Sequence, residues 1–103
     1  MCIFWKIIKK VIPSKIEYED DDCIVFHDIN PKADHHLLLV PKKHISSIAE
    51  LKDEDASLIS HLILKARDIS KEKKIEGYKL IFNVGEKGGQ EIFHIHLHLI
   101  GSN

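Results

Sequence analysis

The sequence predicts a single α+β domain built on an antiparallel sheet, and three observations carry that expectation. Helical periodicity is confined to two stretches, a short one near the start and a long one in the middle. Strand-like runs fall in blocks before and after the long helix, and do not alternate with helices as parallel βαβ units would. The chain has 103 residues, enough for one domain spanning 1–103 and not for two.

Ile3, Phe4, Ile7, Ile8 and Val11 recur at helical spacing until Pro13, which predicts a short helix over about residues 3–10. Lys15–Tyr18 reads as a short strand and Cys23–Asp28 as a second, with side chains alternating between two faces. The acidic run Glu17–Asp22 between them reads as a solvated strand end and turn. Asn30–Asp34 is a loop. The unbroken apolar run Leu37–Val40, stopped at Pro41, predicts a strand buried on both faces. Asp53 reads as the N-cap of a long helix reaching about Lys73. Its inward face is marked by Ala56, Ile59, Leu62, Ile63, Ala66 and Ile69, and Gly77 ends it. Tyr78–Val84 is then a strand, Gly85–Gly89 a loop and Ile92–Ile100 the last strand.

Composition removes several function classes. Fifteen Lys+Arg against sixteen Asp+Glu leave a formal charge of −1, so a generally basic surface for nucleic acid is excluded. No apolar run approaches the roughly 18–20 residues of a membrane span. The opening Met1–Ile12 is interrupted by Lys6, Lys9 and Lys10 and does not read as a secretory leader. Two cysteines, Cys2 and Cys23, cannot staple a disulfide scaffold, and a reducing, cytoplasmic setting is expected.

The unusual feature is eight histidines, three of them in His94-Ile95-His96-Leu97-His98-Leu99-Ile100. In a strand this alternation puts three imidazoles on one face and Ile95, Leu97 and Leu99 in the core. Folding alone does not call for such a row, since Thr or Val suits a strand better. Beside a merely polar strand face, two functional readings remain open on residue chemistry. Neutral imidazoles ligate zinc. A neutral imidazole is also a competent nucleophile at neutral pH, and its neighbours can donate to charge building on a phosphate. Asn83, Gly85 and Gly88-Gly89-Gln90 precede the row, and glycines with free backbone N–H groups there suit an oxyanion or phosphate.

Residues 94–100 match His-φ-His-φ-His-φ-φ with φ apolar, and the chain resembles the histidine triad (HIT) superfamily, in particular its HINT-like branch of purine nucleoside phosphoramidases. The resemblance runs through Ile3-Phe4, Ile12-Pro13, Phe26-His27-Asp28-Ile29, Pro31-Lys32-Ala33, Leu39–Ile45, Asn83 and Gly88-Gly89-Gln90. It implies a five-stranded antiparallel sheet with one short N-terminal and one long helix, extended across a homodimer. It implies two-step chemistry on a purine nucleoside 5′-phosphoramidate. His96 attacks the α-phosphorus, a nucleotidyl-histidine forms, and water releases the nucleoside monophosphate. The resemblance makes His94, His98 and His36 the other catalytic histidines. It assigns Ile3, Phe4, Ile7, Phe26, His27 and Ile29 to the purine end. Asp28 serves the ribose hydroxyls, and Asn83, Gly89, Gln90 and Glu91 the phosphate and leaving group. The alternatives it leaves are a dinucleoside polyphosphate hydrolase and a nucleotide-binding interaction protein with weak catalysis.

Three departures matter. Glu91 stands where the family usually has Ser or Thr, so a hydroxyl donor is replaced by a carboxylate beside an anionic phosphate. Many bacterial relatives hold zinc with Cys-x-x-Cys and histidines matching His44 and His94. Here the first pair reads Cys2-Ile-Phe-Trp5, so no structural zinc and no required cofactor are expected. The sequence stops at Asn103, where relatives continue with a tail that tunes specificity, which leaves the substrate open.

Overall fold

The computed structural model describes residues 2–103. Five strands form one antiparallel sheet: β1 (Ile16–Glu19), β2 (Cys23–His27), β3 (His35–Pro41), β4 (Gly77–Ile81) and β5 (Leu97–Ser102). Their spatial order is β1-β2-β3-β5-β4. Helix α1 (Ile3–Ile8) covers one face and helix α2 (Ala56–Glu72) the other. Strand alternation sorts the core between them. Cys23, Val25, Leu37 and Leu39 pack toward Leu62, Ala66 and Ile69 of α2, while Ile24, Phe26, Leu38 and Val40 pack toward Phe4 and Ile7 of α1. Both faces of β3 are therefore dry, which is why residues 37–40 are apolar without a break. Leu97 and Leu99 continue the α2 layer, so His96 and His98 emerge on the α1 side.

Cys2 caps α1, its sulfur accepting the Trp5 N–H at 3.4 Å. The helix stops at Lys9 because Lys10 turns left-handed, with φ 61°. Helix α2 begins later than expected. Residues Asp53–Asp55 form a 3-10 turn instead, and the capping carboxylate is that of Asp55, which accepts the Lys52 N–H at 3.0 Å. The helix ends at Lys73, where Lys74 (φ 56°) and not Gly77 makes the left-handed exit. Ala56 and Ile63, expected inside, lie outside, and Ser70 is buried in their stead. The acidic run makes a turn: Asp20 Oδ1 accepts the N–H groups of Asp22 and Cys23, and its Oδ2 accepts from Tyr18 and His61.

The largest difference from expectation is at the last strand, which starts at Leu97 and not Ile92. Residues 92–96 run beside the Ile45–Ser46 segment: Ile95 N–H donates to the Ile45 carbonyl at 2.7 Å, and the Gln90 amide donates to the carbonyls of Ser46 and Ile92. That clamp keeps them out of the sheet ladder while preserving the alternation, since Ile95, Leu97 and Leu99 are all buried. Strand β4 is shortened for the same reason. Its last partner is His98, opposite Ile81, so residues 82–84 have no strand to pair with.

Candidate active site

A cleft of about 440 Å³ opens on the α1 face. Ile3, Phe4, Phe26, Ile29 and Leu38 line its apolar part, and Asp28, His36, Asn83, Glu91, His96 and His98 its polar part. Strands β2 and β3 deliver Phe26, Leu38 and His36, β5 delivers His98, and α1 lays Phe4 over the nucleophile candidate, ring centroids 4.8 Å apart.

Hydrogen bonds fix which nitrogen of each ring carries the proton. His96 Nδ1 donates to the His94 carbonyl at 2.8 Å, so its Nε2 keeps a free lone pair. The Lys32 N–H donates to His36 Nδ1 at 3.1 Å, so His36 carries its proton on Nε2. That proton is donated to His98 Nδ1 at 3.0 Å, with Asp28 Oδ2 also 3.4 Å away. His98, accepting at Nδ1, therefore bears its own proton on Nε2. The result is one bare nitrogen on His96 beside one N–H donor on His98, with the two rings 4.9 Å apart.

Burial keeps these rings neutral. It holds His36 and His96 below the ordinary imidazole range, against the pull of Asp28 on His36 and of the His94 carbonyl on His96. For His98, burial together with the neighbouring His96 and His36 lowers the pKa to about 4. A neutral His96 is the nucleophilic form, and a neutral His98 still donates.

The remaining expected residues sort clearly. Ile3, Phe4, Phe26, His27, Asp28, Ile29, Asn83, Gly89 and Glu91 line the cleft. Ile7 is instead buried in the core under α1. Gln90 is buried as the clamp described above, and its Oε1 accepts the Gly85 N–H. His94 is fully buried behind the cleft, where its Nε2–H donates to the Pro41 carbonyl at 2.7 Å and its own carbonyl holds His96. The His27 ring donates to Glu17 at 2.9 Å, a carboxylate also bound by Lys73. Glu17 occupies the bulge between Ile16 and Tyr18, where β1 slips register against β2. The glycine N–H groups are not free. Gly88 and Gly89 donate to the carbonyls of Gly85 and Glu86, closing a 3-10 turn over Glu86–Gly88. Gly89, with φ 89°, serves by bringing the chain past Asn83 in a conformation other residues avoid. Sequence reasoning missed Lys32 as a contributor, because it acts through its backbone.

Among the described residues, three sets of side chains bring metal-type donor atoms together: Cys2/His44/His94, Asp20/Cys23/His61 and Asp28/His36/His98. In the second, both Asp20 oxygens are already engaged and burial pushes the Cys23 thiol up to about 12. In the third, the His36 nitrogen facing the set carries a proton. In the first, the His94 Nδ1 lone pair does point inward, 3.2 Å from His44 Nδ1 and 3.5 Å from the Cys2 sulfur. Among the described residues a fourth donor is missing, because Trp5 can offer only an indole N–H. Three donors do not close a structural tetrahedral zinc site.

The whole chain, residues 1–103, matches the family model described as "Scavenger mRNA decapping enzyme C-term binding". Protein HitA of Neisseria gonorrhoeae is 44% identical over 102 residues, covering 98% of this chain and 95% of its own. An uncharacterised HIT-like protein of Synechocystis is 44% identical over 100 residues, covering 96% and 88%. Among solved structures, a HIT family hydrolase from Legionella pneumophila superposes with a TM-score of 0.96 at 41% identity, covering 100% of this chain and 94% of that one. A histidine triad protein from Clostridium difficile gives 0.94 at 41% identity, covering 99% and 90%.

Proposed function

Because the chain belongs to the histidine triad superfamily, we propose that it is a purine nucleoside phosphoramidase working through a covalent nucleotidyl-histidine on His96. The observation that carries this reading is the 2.8 Å hydrogen bond from His96 Nδ1 to the His94 carbonyl, which leaves Nε2 as a lone pair inside the cleft. The purine lies in the apolar part, and Asp28 accepts from the ribose hydroxyls. His96 Nε2 attacks the α-phosphorus; the N–P bond to the imidazole forms as the P–N bond to the amine breaks, the amine nitrogen taking a proton from solvent as it leaves. The His98 N–H meets the charge growing on the phosphoryl oxygens. Water then cleaves the phosphoryl–imidazole bond, its oxygen bonding to phosphorus and its protons passing to solvent, which releases the nucleoside monophosphate and a neutral His96. None of these steps needs a metal ion, and metal analysis of the purified protein should return well below one zinc per chain. Stoichiometric zinc would contradict that.

An amine leaving group fits better than the polyphosphate of a dinucleoside polyphosphate. The chain has one arginine, Arg67, on α2 and paired with Asp68, so the cleft has no guanidinium clamp for a polyanion.

The test is release of nucleoside monophosphate from adenosine 5′-phosphoramidate across pH. Protonation removes the nucleophile, and burial moves that protonation below the ordinary imidazole value of about 6.5. The acid limb of the rate should therefore be centred below that ordinary value. Absence of turnover, or an acid limb centred at or above about 6.5, would contradict the reading.

The protein is further proposed to act as a homodimer. Strand β4 ends the sheet among the described residues, and Tyr78 and Leu80 on it, with Ile63 and Leu64 on α2, are exposed apolar side chains that pairing would cover. Among the described residues, no helix is long and apolar enough to cross a membrane. The free thiols Cys2 and Cys23 support a reducing, cytoplasmic setting.

A further inference from the structure

The charge on the cleft is unbalanced in a way that bears on the leaving group. Among the described residues, two carboxylates, Asp28 and Glu91, line it against one side-chain ammonium, that of Lys32. Burial keeps His36, His96 and His98 neutral, and the fourth lining imidazole, His27, is turned to the Glu17 carboxylate outside the cleft lining. Asp28 is engaged: its Oδ1 accepts the Asn30 N–H at 2.8 Å and its Oδ2 faces His36. Glu91 is different. It is exposed at the wall of the cleft and enters none of the ion pairs formed among the described residues. It follows directly on Gln90, whose buried amide is clamped at both ends, so the position of its backbone is fixed.

An anionic phosphoryl group approaching this wall meets a fixed negative charge. The repulsion is relieved when the substrate brings its own cation on the part that reaches solvent. The apolar part of the cleft is taken by the base, so the free portion of the leaving amine lies toward the polar wall.

We propose that Glu91 selects phosphoramidates whose leaving amine carries a second, positively charged group, such as a diamine or a basic amino-acid derivative. The inference rests on the phosphoramidase reading above. Glu91 acts as a specificity residue and takes no part in bond making.

The experiment compares kcat/KM for three adenosine 5′-phosphoramidates, made from diaminobutane, pentylamine and aminobutyrate. Their leaving amines are of similar length and end in an ammonium, a methyl and a carboxylate. At low ionic strength the diaminobutane compound should be cleaved about fivefold better than the pentylamine compound, the size expected of one exposed ion pair. The aminobutyrate compound should be the poorest. The advantage should shrink toward unity in half-molar salt, as screening between exposed charges requires. Glu91→Gln should flatten the ranking and Glu91→Lys should invert it. Hydrolysis of all three with a flat ranking in the wild type, or a ranking that survives Glu91→Gln, overturns this inference and leaves the phosphoramidase reading standing. Failure to hydrolyse any of the three overturns both.

Discussion

His96→Ala should lower turnover of adenosine 5′-phosphoramidate by roughly a thousandfold or more, the scale seen when a nucleophile acting as part of a unit is removed. The reason is local. Within the cluster of His36, His96 and His98, His96 combines a free nitrogen, fixed by donation to the His94 carbonyl, with a place in the cleft. The other two cleft-lining rings of the cluster are committed, His36 Nδ1 to the Lys32 N–H and His98 Nδ1 to His36. Neither can replace the lost nucleophile without giving up a hydrogen bond. Binding of adenosine monophosphate should persist in the variant, because Phe26, Leu38 and Asp28 are untouched. The check is to measure turnover and equilibrium binding on the same preparation. Turnover within tenfold of wild type would place the nucleophile elsewhere.

Leu97→Ala should destabilise the fold by about 3 kcal/mol, within the range for truncating a buried leucine. Leu97 is 1% exposed, sits opposite Leu39 of β3 and belongs to the core layer under α2. It is also the residue between His96 and His98, so the cavity opens beneath the site. A fall in melting temperature of roughly 15 °C is expected for a domain of this size. Val11→Ala, 64% exposed, should leave the melting temperature nearly unchanged. Thermal unfolding followed by circular dichroism measures both. A Leu97→Ala protein as stable as wild type would mean that this layer is not the packed core described here.

The same two residues show what was legible in the sequence. The alternation of Ile95–Leu99 told His96 and His98 from the core residues Ile95, Leu97 and Leu99, but it placed His94 on the open face, and His94 is fully buried. The start of β5 was not legible. It depends on Gln90 reaching Ser46, forty-four residues away, and no local pattern records that contact. Gln90 and His94 read as site residues by position in a motif, and the structure gives them supporting places behind the cleft. Ile7 was given to the purine wall by the resemblance, although an apolar side chain read by itself is more often core, and it is core. The glycine turn was visible, but the fate of its N–H groups was not, because the turn closes on itself. The tautomers of His36 and His98 could not have been read from the sequence either, since they follow from a backbone donor, Lys32, whose side chain carries no signal for the role.

The central claim is that the unprotonated nitrogen of His96 becomes covalently bonded to phosphorus. The most direct measurement is mass spectrometry of the protein quenched during turnover, followed by peptide mapping. The account predicts a transient adenylyl adduct confined to the peptide bearing His96 and absent from His96→Ala. An adduct on another side chain, or none at any quench time while monophosphate is being released, would contradict it.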